Sequence, residues 1–138
     1  MDEPPLPASG TAQVILVIDD ERELREIYTH KLTKAGFSVL FAADGETGLT
    51  IALEKKPDLI LLDVLMPNMS GVDMLKKLRA KNDWGSLVPV IMLTNVEPTS
   101  ETMNKDIAET APTYYLIKSD TDPDDLIVKI RERLSLPI

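Results

Sequence analysis

An open, doubly wound α/β domain built on a parallel sheet is the fold class this sequence predicts, and three observations predict it. Short apolar runs without polar alternation recur at residues 14–18, 59–62, 90–93 and 114–117, the signature of strands buried on both faces. Between them lie stretches whose apolar residues follow helical spacing, so strand and helix alternate as a parallel sheet requires. The runs end on Asp19-Asp20, Asp63, Thr94 and Lys118, and sheets of this class hold their ligand sites at the carboxyl ends of strands.

Composition narrows the function. At 138 residues and 43% hydrophobic content the chain fits one domain with a real core. No apolar stretch approaches the roughly 18 residues of a membrane span. The start, Met1-Asp2-Glu3-Pro4-Pro5, lacks the basic residues and apolar segment of a signal peptide. The absence of cysteine excludes disulfides, thiolate chemistry and Cys-based metal sites. A cytoplasmic location is therefore expected. A net charge of −8 argues against direct binding to a nucleic-acid backbone.

Residues 1–11 hold three prolines and little that can pack, so they are expected to form a flexible tail, with the folded domain over 12–138. The first strand covers 14–18. A helix over about 21–35 follows, with Leu24, Ile27, Tyr28 and Ala35 on its apolar stripe, acidic residues in its first turn and Lys31 and Lys34 in its last. His30, the only histidine, falls opposite that stripe and is assigned no function.

The second strand covers 37–41, and Asp44-Gly45 opens a helix that runs to about residue 56 and uses Leu49, Ala52 and Leu53. Pro57 blocks its continuation. The apolar run 59–62 leads into Asp63. A third helix starts at Ser70 or Gly71, ends near Lys81 and buries Val72, Leu75 and Leu78. Residues 82–87 read as a loop, with Trp84 folded over the helix edge.

Pro89 is tolerable only at the start of the fourth strand. Pro98-Thr99-Ser100 begins a fourth, weakly amphipathic helix with Met103, Ile107 and Ala108 as its few apolar positions. The fifth strand covers 113–117, and Pro123 opens a last helix on which Leu126, Ile127, Ile130 and Leu134 share a face.

Four strand ends thus carry an acidic pair, a lone carboxylate, a hydroxyl and an ammonium, in that order. This pattern, from about residue 12 to 136, resembles the receiver (phosphoacceptor) domain of two-component response regulators, of the single-domain chemotaxis type. The resemblance implies a flavodoxin-like fold with five helices and strand order 2-1-3-4-5. Strands one and three are neighbours in that order, which brings Asp19, Asp20 and Asp63 together. Hard oxygen donors without His or Cys point to Mg²⁺, with Mn²⁺ an acceptable substitute.

The resemblance further implies that Asp63 is the phosphorylation site, and that Asp20, Asp63 and the main-chain carbonyl of Leu65 bind the metal directly. Asp19 would act through water. Thr94 would donate to the phosphoryl group, Lys118 would neutralise it, and Tyr115 would be the switch aromatic. Phosphate would come from a histidine kinase or phosphotransfer protein. A downstream protein would read the surface of the fourth predicted helix, the fifth strand and the last helix, where Val128 is expected to be exposed with parts of Met103 and Tyr114. On this reading the chain is no enzyme beyond catalysing its own phosphorylation and dephosphorylation.

Three departures from the family pattern stand out. Ser119 replaces the proline that usually follows the lysine, which makes a trans peptide the expectation there. Ala111-Pro112 stands where a small pair usually precedes the fifth strand, and Asn95 is larger than the usual residue and narrows donor access. A stand-alone receiver is the first expectation, since little sequence follows Leu136. A receiver cut from a longer regulator or hybrid kinase is the second. A small aspartyl-phosphate phosphatase is a remote third, because that chemistry wants its nucleophile after the first strand.

Overall fold

The computed structural model describes residues 13–95 and 112–135. The expected tail over 1–11, the expected fourth helix with Met103, and Val96 lie outside these residues. Within them run β1 (Val14–Ile18), α1 (Arg22–Lys34), β2 (Ser38–Ala42), α2 (Gly45–Lys55), β3 (Leu59–Asp63), α3 (Gly71–Lys81), α4 (Asp83–Leu87), β4 (Val90–Thr94), β5 (Tyr114–Ile117) and α5 (Pro123–Arg133). The five strands form one parallel sheet in the order β2-β1-β3-β4-β5, as expected.

The two-residue period of the strands sorts the core into two layers. Leu16, Ile18, Ile60, Leu62, Val90 and Met92 face one side and pack with Ala52 of α2 and Met74, Leu75 and Leu78 of α3. Ile15, Val17, Leu59, Leu61, Ile91 and Leu93 face the other, against Tyr28 and Leu32 of α1 and Leu126 and Ile130 of α5. Because β1, β3 and β4 are covered on both faces, their polar ends are the only places where these strands can meet solvent-borne chemistry.

The helix ends follow the local chemistry. Asp44, Ser70 and Asp122 cap α2, α3 and α5 by accepting from Thr47, Asp73 and Asp124 amides. Pro123 sits in the first turn of α5, where its missing amide hydrogen costs nothing. On α1 the buried stripe is Tyr28 and Leu32, one turn apart. Ile27, one position before Tyr28 and so about 100° round the helix, is exposed rather than part of that stripe.

Residues 83–87 form a short helix where a loop was expected. Asn82 Oδ1 accepts from the Gly85 amide at 2.6 Å, and Arg79 Nη1 donates to the carbonyls of Gly85 and Val88 at 3.1 and 2.7 Å. Those three bonds close a turn that has almost no apolar periodicity to announce it. Trp84 packs against the α2–α3 side of the core, as expected of an aromatic over a helix edge. Val128 is half-buried rather than exposed.

Gly71 ties α3 to the end of β3. Its amide donates to the Val64 carbonyl at 2.8 Å. A Cβ there would run into the Asp63 carbonyl oxygen and come within 2.9 Å of Val64 Cα. Both obstacles are backbone, which cannot swing away as a side chain can. Gly71→Ala is therefore expected to destabilise the protein by about 2 kcal/mol or more and to weaken divalent-cation binding at Asp63. Urea unfolding and a Mg²⁺ titration measure the two effects; a loss below about 0.5 kcal/mol would show that the 64–70 loop simply yields.

Candidate functional site

Asp63 ends β3, and the β1–β3 register pairs Ile18 with Leu62, so one further step sets Asp19 beside Asp63. Thr94 ends β4, one residue beyond the partner of Asp63, and Lys118 follows Ile117, the partner of Thr94. Four polar groups thereby converge on one sheet edge: Asp19, Asp63, Thr94 and Lys118 are 2%, 4%, 1% and 9% exposed. Asp20 stands at the exposed side of the group.

Carboxylate oxygens of Asp19, Asp20 and Asp63 all lie within 4.8 Å of one another. Lys118 Nζ donates to Asp19 Oδ2 at 2.9 Å and lies 3.4 Å from Asp63 Oδ2 and 3.6 Å from Glu21 Oε1. The Lys118–Ser119 peptide is trans, and the ammonium reaches both buried carboxylates from it. Asp19 Oδ1 accepts from the Glu21 amide at 2.9 Å, and Asp63 Oδ1 from the Leu65 amide at 3.3 Å.

The electrostatics follow from crowding. Burial and the Asp19 carboxylate raise the pKa of Asp63 to about 7, with a further push from Asp20, against the opposing charge of Lys118. For Lys118 burial alone would favour the neutral amine. The hydrogen bond and charge of Asp19, with Asp63 and Glu21, outweigh burial and raise its pKa, so the ammonium stays charged. Three carboxylates thus share one cation. A donor set of oxygens alone, without nitrogen or sulfur, suits a divalent cation of the Mg²⁺ or Mn²⁺ kind, which would relieve the remaining repulsion.

Tyr115 packs against the α2–α3 side of the core with its hydroxyl buried and without a hydrogen-bond partner among the described residues. Burial raises its pKa, and the Thr94 side chain beside it partly offsets this. Tyr114, the residue before it, faces the opposite layer, with Lys129 Nζ 5.4 Å from its ring centre. The strand period therefore separates the two tyrosines that the sequence leaves side by side.

Two participants were not foreseen. Glu21 supplies a third carboxylate near Lys118, and only its place in the acidic run 19–21 hinted at it. Arg25 Nη1 donates to the Asp19 carbonyl at 2.8 Å while its guanidinium rests over Phe41, 5.7 Å from the ring centre. No sequence signal links residues 19, 25 and 41. A cleft of about 580 Å³ borders this second contact, lined by Arg22, Arg25, His30 and Phe41 among others, and includes none of the clustered aspartates.

The chain has recognisable relatives. Residues 15–131 match the response regulator receiver domain family. The chain is 36% identical over 122 residues to the DNA-binding response regulator MtrA of Mycolicibacterium paratuberculosis, covering 88% of this chain and 51% of that protein. It thus spans about half the length of the curated relatives it matches. Among solved structures it is similar to chemotaxis response regulator CheY4 of Vibrio cholerae, with TM-score 0.77, 30% identity and coverage of 88% and 98%. A CheY-like receiver domain protein from Methanospirillum hungatei gives TM-score 0.81, 26% identity and coverage of 91% and 95%.

Proposed function

The chain belongs to the response regulator receiver family, and from that premise we propose that it accepts a phosphoryl group on Asp63 from a histidine kinase or phosphotransfer protein. One observation carries this reading: a buried strand-end carboxylate, 3.4 Å from a buried ammonium, within an all-oxygen cluster. An Asp63 oxygen attacks phosphorus as the bond from phosphorus to the donor breaks, leaving an aspartyl phosphate and a free imidazole or, with acetyl phosphate, acetate. Asp20, Asp63 and the Leu65 carbonyl would hold Mg²⁺, with Asp19 acting through water. When bound, the ion neutralises charge on the phosphoryl oxygens.

Lys118 keeps its charge and meets the transferred group, and Thr94 offers its hydroxyl to a phosphoryl oxygen. Drawing Thr94 toward that oxygen would open space beside the Tyr115 ring, into which the ring could turn. The switch would be read on the surface of β5, α5 and the expected fourth helix. The receiver unit is taken as residues 12–138, acting in the cytoplasm, and catalysing nothing beyond its own phosphorylation and dephosphorylation.

The test is phosphorylation by acetyl phosphate followed by intact-protein mass spectrometry. Addition of one phosphoryl mass is expected with Mg²⁺ or Mn²⁺, and none in chelator or in Asp63→Asn. The same added mass in Asp63→Asn would overturn the assignment.

Hydrolysis of the product needs a water in line with the Asp63–phosphorus bond. The family resemblance places residues 65 and 96 beside that approach, here Leu65 and Val96, and neither side chain can hydrogen-bond a water. Slow self-dephosphorylation is expected. Decay of purified phosphoprotein in Mg²⁺, with Leu65→Asn and Val96→Glu alongside, checks it; wild-type decay within seconds would refute the argument.

A module of a longer regulator is a second reading, favoured by coverage of only about half of MtrA. On that reading any DNA binding would lie outside this chain, since a receiver at net charge −8 is ill-suited to grip a phosphate backbone. The mass of the protein from its native source separates the two readings.

A further inference from the structure

The three carboxylates around the Lys118 ammonium are not equivalent. Asp19 and Asp63, at 2.9 and 3.4 Å, are buried inside the site, whereas Glu21, at 3.6 Å, has a side chain that is 47% exposed. The same Glu21 oxygen accepts a hydrogen bond from Asn95 Nδ2 at 3.1 Å. Glu21 follows the acidic pair after β1, and Asn95 follows Thr94 at the end of β4. Their bond therefore joins two strand-end loops across the rim of the site, outside the buried lysine. The Glu21 amide donates to Asp19 Oδ1, so the backbone beneath this carboxylate is fixed as well.

We infer that Glu21, held in place by Asn95, is an access residue that disfavours small anionic phosphodonors by setting a fixed negative charge on the solvent side of Lys118. The inference rests on the phosphoacceptor reading above. A donor such as acetyl phosphate is an anion whose phosphoryl oxygens must come to Lys118. On the way it meets a carboxylate that already takes part of the lysine's charge and cannot swing aside without breaking the Asn95 bond. A protein donor escapes this penalty when it brings a cationic or hydrogen-bonding side chain beside its phosphohistidine, because that group pairs with Glu21 and turns repulsion into contact. The rim thus favours a docked protein carrying such a group over a free small molecule.

Initial rates of phosphorylation by acetyl phosphate in saturating Mg²⁺ test this in wild type, Glu21→Gln, Asn95→Ala and the double variant. Glu21→Gln keeps the shape and removes the charge. It is expected to lower the half-saturating acetyl phosphate concentration roughly three- to tenfold at low ionic strength, an advantage that shrinks in high salt. The change should fall on half-saturation far more than on the maximal rate. Asn95→Ala should move the same way by less, and the double variant no further than Glu21→Gln alone, since both act through one charge. Beryllofluoride, an anion whose binding needs no transfer, should bind more tightly to Glu21→Gln in parallel. Unchanged half-saturation for both anions, or a gain undiminished in high salt, would overturn the inference. So would an effect confined to the maximal rate, which would make Glu21 only a support for Lys118. If even the wild type takes up no phosphoryl group, the phosphoacceptor reading fails on its own, and the beryllofluoride titration still decides the role of Glu21.

Discussion

Asp63→Asn is expected to stabilise the metal-free protein by about 2 to 4 kcal/mol near pH 8 and to change it little near pH 4. The reason is the raised pKa of Asp63, from the ordinary 3.8 to about 7. The folded chain holds this proton more tightly than the unfolded chain does. Stability is therefore fully present below about pH 4, falls as pH rises toward 7, and levels off once the folded carboxyl has ionised. Each pH unit of that interval is worth about 1.4 kcal/mol at most. Asparagine has the shape without the charge, so the variant should lose this slope. Mg²⁺ should stabilise the wild type at pH 8 and help Asp63→Asn far less, because binding to the folded state alone shifts unfolding. Urea midpoints at the two pH values, with and without Mg²⁺, read all of this. A wild type as stable at pH 8 as at pH 4, with no gain from the substitution, would contradict it.

Lys118→Met should do the opposite, though it breaks the same contact. Removing the ammonium leaves Asp19 and Asp63 buried without their cation, and stripping one partner from a buried pair costs roughly 3 kcal/mol or more. Part of that cost is relieved where Asp63 takes up a proton, so the loss should be largest in metal-free protein near pH 8. Phosphorylation suffers as well, because the charge meeting the transferred group is gone; a fall of about 100-fold in initial rate is expected. Lys118→Arg should rescue little of it, since a planar fork does not fit where a compact ammonium sits 2.9 Å from one carboxylate and 3.4 Å from another. Initial rates with acetyl phosphate and urea unfolding at pH 8 provide the measurements. A rate within about threefold of wild type would remove Lys118 from the proposed machinery.

Both expectations have one source, a crowding of carboxylates around a single ammonium. The carboxylates repel one another, so deleting one should relieve the fold, while deleting the shared cation should worsen it. A divalent cation would offset that excess of negative charge, and the buried layers of β1, β3 and β4 supply the stability to tolerate it.

Much of this protein was determined by its sequence alone. Uninterrupted apolar runs marked the buried strands because a strand covered on both faces has no polar side to alternate with. Asp44, Ser70 and Pro123 marked helix starts, since an unsatisfied first turn needs a local acceptor and tolerates a residue without an amide hydrogen. Asp19, Asp63, Thr94 and Lys118 stood out because polar groups ending apolar runs have nowhere else to face. What only the tertiary structure decided depends on contacts between segments far apart in the chain. The helix at Asp83–Leu87 needed Arg79 from the preceding helix to close it. Tyr115 rather than Tyr114 faces the Thr94 side because the strand period, counted from the sheet register, assigns alternate residues to opposite layers. The bond from Glu21 to Asn95 joins residues 74 positions apart. Local pattern has no means of stating such a meeting; the parallel register that sets neighbouring strand ends side by side does.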